Sequence, residues 1–245
     1  MSIGGWLGDE HEWKRLETSW QNCIDRNNFN NRPDQQISRF HATYMNRYER
    51  EFLNWTPELS ARFANKLVGF LGRRVMLAVT IGADMDALKD VFPRGDPKRK
   101  DYAYTLCIKT AMVELAHLMK EYFPGDQVHL VHDHGNWDHQ ALAGYNLMVN
   151  DLEWEHRGIF VGITSLTGLQ SVGLQAADLI AFEAHRALYS KLVHDSNTLR
   201  KAMQSLFAKG VAIVGRYMDK EAVIGLREVM AESGKYPNLD EGSIL

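Results

Sequence analysis

A chain of 245 residues with 45% hydrophobic content is long enough to bury one substantial core, so a single domain is expected over 1–245, with a polar tail from about residue 234. Its 28 basic residues against 31 acidic ones leave a formal net charge of -3, which excludes a strongly basic nucleic-acid binder and confines any grip on phosphate to local patches. Only two cysteines, Cys23 and Cys107, exclude a disulfide framework and a cysteine-rich zinc module; the early acidic residues and the short longest apolar run, VMLAVTIGA, point to the cytoplasm and away from secretion or a membrane.

Residues 2–7 read as a strand. Behind them DEHEWKRLETSWQNCIDR sets Trp13, Leu16, Trp20 and Ile24 at helical spacing, with Asp9 as the expected N-cap. NNFNNRPDQQ is a polar loop, and SRFHATYMN reads as a short extended or irregular piece ending near Arg47. Pro57 opens a helix through about Leu71 whose inner face carries Leu59, Phe63, Leu67 and Phe70. VMLAVTI, residues 75–81, is apolar on both faces and predicts a strand covered on both sides.

A short helix, ADMDALKDVF, ends at Pro93; a basic loop then leads to a long helix from about Tyr102 to Tyr122, stopped by Pro124-Gly125. QVHLVHD predicts a strand, HQALAGYNLMVN a helix starting at His139, and GIFVGIT a strand. In LQAADLIAFEAHRALYSKLV, Leu174, Ala177, Ala181, Ala184, Leu188 and Leu192 form one helical stripe. Weaker helices at roughly 196–208 and 219–232 close the chain. Strands alternating with helices make the fold α/β or mixed α+β.

The densest chemistry lies in HLVHDHGNWDH, residues 129–139, with four histidines and two aspartates. Strand periodicity puts His129, Val131 and Asp133 on one face and Leu130, His132 and His134 on the other, so the cluster is divided. A self-contained zinc site needs converging ligands, and the helical HExxH pattern is absent. The His-Asp doublet of one phosphohydrolase class sits on a helix, unlike this one, and the further aspartate-rich motifs of metallophosphoesterases are missing. A carboxylate just past the C-terminal end of a strand is the usual ligand position in an α/β sheet, which singles out Asp133; an Asx-type turn is the other reading. A second motif, GLQAADLIAFE, points Gln175 and Asp178 the same way from the first turn of a helix. Asp178 suits a cation, although an acidic first turn is also favoured by the helix dipole alone.

At these residues the chain resembles the DUF3800 family, a group of bacterial and phage-associated proteins. GGWLGDEHEWKRLETSW is similar to that family's second strand and first helix, RFHAT to its Phe-His turn, EFLNW to its Phe-x-x-Trp step, and HLVHDHGN to its strand ending in Asp. GLQAADLIAFEAHR resembles its Leu-Gln-x-Ala-Asp-Leu helix, the most specific of these matches. The resemblance implies an RNase H-like mixed sheet flanked by helices and a metal-dependent nuclease site. Asp133 and Asp178 would be the Mg²⁺ or Mn²⁺ ligands, with Gln175 and His41 as neighbouring catalytic groups.

Two departures accompany the match. Tyr44 stands where the family commonly has an Asp, and the family's first strand, with its Asp-Glu or Asp-Asp-Ser-Gly motif, has no counterpart here. Asp9-Glu10 is no substitute, because it falls at a helix start. Losing a central strand leaves unpaired backbone or forces new pairing, so Met1 is expected to be an internal start with an upstream extension in the natural protein; a decayed site is the rival reading. The expected function is metal-dependent phosphodiester hydrolysis; the alternative is an inactive nucleic-acid-binding or regulatory module of the same fold. Arg94, Lys98, Arg99 and Lys100 are candidate phosphate contacts, and Trp55, Tyr102 and Tyr104 candidate stacking residues, although a solvated charge run and core aromatics explain both sets.

Overall fold

The chain enters its first helix as its spacing predicts. Strand β1 (Ser2–Leu7) meets helix α1 (Glu10–Asn30) at Asp9, whose carboxylate accepts from the backbone N–H groups of His11 (2.8 Å) and Glu12 (3.3 Å). Two donors with no partner inside the helix are satisfied this way. The computed structural model describes residues 1–75, 77–91, 99–194 and 210–225, together with positions 203, 204, 206 and 208. After α1 come α2 (Ala42–Arg47), α3 (Pro57–Arg74), β2 (Leu77–Ala83), α4 (Met85–Val91), α5 (Arg99–Tyr122), β3 (Val128–Asp133), α6 (Asp138–Val149), β4 (Phe160–Leu166), α7 (Val172–His194) and β5 (Ala212–Met218). The fold is mixed α/β.

Its strands divide into two sheets. β1 runs antiparallel to β2, with Ser2 opposite Gly82 and Leu7 opposite Leu77, and β2 runs parallel to β5. β3 and β4 make a separate parallel pair. Period two sorts the three-stranded sheet between two cores: Trp6 and Ala78 face α1, α3 and α7, whereas Ile3, Leu7, Leu77, Val79 and Ile81 face α4 and α5. The second core continues to Val128 and Leu130 of β3, Phe160 and Ile163 of β4, and α6. The opposite face of β3, with His129, Val131 and Asp133, is open to solvent, Val131 at 45% exposure. No helix among the described residues is long and apolar enough to cross a membrane.

Three elements differ from the sequence reading. SRFHATYMN contains a helix, α2, whose N-cap His41 makes no side-chain cap bond; the cap comes from Asp178 on α7, so no local signal announces it. β5 was not anticipated, because Gly215 interrupts its apolar run; a Cβ there would lie 2.9 Å from Thr80 Oγ1, which is why the strand carries a glycine beside β2. On α7 the buried residues are Leu174, Gln175, Ala176, Leu179, Ile180 and Glu183, a set broader than and rotated from the predicted stripe, because the helix packs against β1 as well as α1. Residues 220–225 are helical as expected, whereas most of the 196–208 prediction and the remainder beyond 225, tail included, lie outside the described residues.

α7 lies directly on β1. A Cβ built on Gly4 would sit 2.7 Å from the backbone nitrogen of Ala181 and 2.8 Å from its Cα, and Trp6 Nε1 donates to the Ala176 carbonyl at 2.7 Å. Backbone cannot yield as a flexible side chain can. Gly4→Ala is therefore expected to lower stability by about 1–3 kcal/mol. Gly5→Ala, on the same strand with nothing within 4 Å of its Cβ position, should stay within about 0.5 kcal/mol of the parent in the same urea titration.

Candidate functional site

Gln175 and Asp178, three residues apart on α7, hold the backbone N–H groups of Phe40 and Ala42, the residues on either side of His41. Gln175 Oε1 accepts from Phe40 N at 2.8 Å and from Trp20 Nε1 at 3.1 Å, while Nε2 donates to the Gly168 carbonyl at 2.7 Å. Asp178 Oδ2 accepts from Ala42 N at 2.6 Å, which caps α2. Gln175 is 5% exposed, and its amide ties α1, the 40–42 turn and the loop before α7 together. His41 is thereby fixed beside Asp178, with Nδ1 3.3 Å from Oδ2 but outside hydrogen-bond geometry. Its ring packs on Tyr44 at 3.9 Å between centroids, and the Arg50 guanidinium lies 4.3 Å from the Tyr44 ring centre. Tyr48 and Arg50, in the same turn, both take left-handed φ values, 56° and 53°.

Asp133 and Asp178 sit on elements that pack against each other, β3 and α7, and the charge of one is felt by the other. Burial raises the Asp178 carboxyl above its ordinary value; His41 and the Ala42 N–H oppose the rise, the negative charge of Asp133 reinforces it, and Arg39 opposes it. Asp133 ends β3 on its open face, and its carboxylate makes no hydrogen bond among the described residues. The donor set is oxygen, which suits a hard divalent cation; two carboxylates alone would hold one weakly, with water completing its shell.

The other aspartate of the histidine stretch, Asp138, gathers two of its four imidazoles. Its carboxylate accepts from Gly135 N at 3.1 Å and Ser165 Oγ at 3.0 Å, lies 3.5 Å from His132 Nδ1 and contacts His134 Nδ1. His134 Nδ1 is also 3.0 Å from Ser165 Oγ, and His132 Nδ1 is 3.2 Å from the Asp133 carbonyl. Burial pushes the Asp138 carboxyl up, but the Gly135 N–H, the Ser165 hydroxyl, His134 and His132 outweigh it and hold the carboxyl below its ordinary value. His129 turns away to Thr164 Oγ1 at 2.8 Å. Among the described residues no group of three or more His, Cys, Asp or Glu side chains is arranged to hold a metal ion. The stretch is a turn-closing network, with Asp133 left outside it.

Asp138, Ser165 and Trp137 escaped the sequence reading, which started α6 one residue late at His139. The Gly-x-x-Asp step after β3 was the available signal for Asp138. Ser165 gives none, since only the β3–β4 register brings it opposite His132. Trp55 is excluded as a stacking residue: it is buried edge-on to Phe52 and Phe63 at 4.9 and 5.2 Å. Tyr104 instead stacks on Trp137, with centroids 5.2 Å apart and planes 11° from parallel. Of the basic loop, Arg94 and Lys98 lie outside the described residues, and Arg99 and Lys100 open α5. Comparison with family models, curated proteins and solved structures found no match.

Two outcomes follow from the clamp. Gln175→Ala leaves the Trp20 and Phe40 donors without their acceptor and should destabilise the fold by about 2–4 kcal/mol, read by urea denaturation. A carboxyl whose pKa is higher folded than unfolded binds its proton more tightly in the native state, so stability falls as pH rises between the two values. In chelator-containing buffer the parent should therefore lose stability relative to Asp178→Asn as pH climbs above 3.8, until the raised pKa is passed.

Proposed function

We propose that this chain is a divalent-metal-dependent phosphodiesterase of the nuclease type, on an RNase H-like fold related to the DUF3800 family, with Asp133 and Asp178 as the metal ligands. The observation that carries this reading is the placement of two carboxylates 45 positions apart in sequence on elements that pack together, Asp133 at the end of the open face of β3 and Asp178 on α7. A cation bound there would supply a positive charge to orient a water and stabilise the leaving oxygen of a phosphodiester. Asp133 offers both of its oxygens. Asp178 keeps Oδ2 on the Ala42 N–H and offers its other oxygen. His41, whose neighbours Phe40 and Ala42 are both held, directs Nδ1 at Asp178 and leaves Nε2 for a phosphate oxygen or a water. Gln175 acts as a positioning residue.

One observation favours the second reading, an inactive nucleic-acid-binding or regulatory module. Gln175 and Asp178 are engaged in backbone hydrogen bonds that the fold needs whether or not any reaction occurs. Calorimetric titration with Mn²⁺ separates the two. The parent chain is expected to bind. Asp133→Asn and Asp178→Asn should each weaken binding about tenfold or more, as losing one charged ligand of a sparse site requires. The His132→Ala/His134→Ala double variant should bind like the parent. Absence of binding in the parent would overturn the metal site and leave the module reading standing.

A further inference from the structure

Five of the six tryptophans take part in the two cores: Trp6, Trp13, Trp20 and Trp55 in the first, Trp154 in the second. Among the described residues, neither Trp137 nor Tyr104 belongs to either core. Trp137 is half-buried, so part of its indole stays open to solvent outside either core. Trp137 sits in the turn between β3 and α6, where Gly135, Asn136 and His139 are exposed. Tyr104, anchored on α5 between buried Ala103 and Thr105, covers one face of the indole in a parallel stack. The turn is closed by the Asp138 network, so the ring is held from both ends.

This stack lies near one of the candidate carboxylates, Asp133. Trp137 is four residues from Asp133, and the Tyr104 hydroxyl is pushed up to about 12 by burial first, with Cys107, Asp133 and Asp138 adding to it. The phenol stays protonated and the stack stays neutral beside acidic groups. A neutral, rigid aromatic surface next to carboxylates repels nothing in a nucleobase, whereas it offers little to a simple phosphodiester without a ring.

We propose that Trp137, backed by Tyr104, is a stacking platform for an unpaired nucleobase, and that the ligand class of this face is single-stranded nucleic acid. The inference deepens the proposed phosphodiesterase reading and rests on it for the role of the neighbouring carboxylates. Bases paired in a duplex have both faces occupied and cannot reach such a platform; a splayed base can.

The test uses the full chain, a labelled thymidine oligomer with a hydrolysis-resistant phosphorothioate backbone and an abasic oligomer of the same length, by fluorescence anisotropy with Mn²⁺ and with chelator. The parent is expected to bind the thymidine oligomer about tenfold more tightly than the abasic one, the contribution of a single stacked base. Trp137→Ala should abolish that difference and Trp137→Phe should retain part of it, with thermal melts showing both variants folded. Equal affinity of the parent for the two oligomers overturns the proposal without recourse to any variant, as does a base preference that survives in Trp137→Ala. A preference that depends on Trp137 while Mn²⁺ has no effect supports the platform and counts against the metal-dependent reading, so the two can fail separately.

Discussion

The grip of α7 on the 40–42 turn is the contact on which the rest of this molecule's functional surface depends. A glutamine and an aspartate at i and i+3 project side by side, and the chain offers them two peptide N–H groups at matching separation, those of Phe40 and Ala42. Each bond alone is worth on the order of 1 kcal/mol, somewhat more where the acceptor is a carboxylate. Their joint effect is geometric. With both neighbours held, His41 has nowhere to go but beside Asp178, and α2, a helix too short to persist alone, begins where the distant carboxylate tells it to.

That arrangement requires α7 to be placed accurately, and β1 places it. Gly4 lets helix and strand backbones touch, Trp6 ties its indole to a carbonyl of the helix, and Ile180 and Ala176 fill the core beneath. Small residues and one directed hydrogen bond thus set the height of the helix that carries Gln175 and Asp178. Asp133 arrives by another route, at the end of a strand belonging to a different sheet and anchored through Val128 and Leu130 to the core shared with α5 and α6.

Much of this was legible in the sequence. The Asp9 cap, the buried face of α3, the doubly covered β2 and the strand ending in Asp133 each carry a local signal of cap chemistry or period; the cap and the strand end appear where that signal put them, β2 lies two residues further along, and on α3 Val68 and Leu71 are buried while Phe70 is half-exposed. The shared orientation of Gln175 and Asp178 was legible too, because helix geometry alone requires it. What the side chains grip was not: a cap supplied from 136 positions away leaves no trace near α2. The same holds for the partition of the histidines, which follows from the register of β3 against β4 and from Asp138 at a helix start. Trp55 and Trp137 look alike in the sequence, and only packing separates a buried core ring from a half-buried one outside both cores.

The division of the strands into two sheets bears on how the molecule breathes. A two-stranded ribbon has little stability of its own and borrows it from whatever it is docked against, here α6 and the second core. β3 with β4 is therefore a natural unit of sub-global opening, its amides losing protection from solvent exchange before those of β2, which has a neighbour on each side. Asp133 rides on the ribbon, while Asp178 rides on a helix seated against the three-stranded sheet. The distance between the two carboxylates is consequently governed by the docking equilibrium of one foldon on another, and anything that bridges them would slow that opening and be felt throughout β3 and β4.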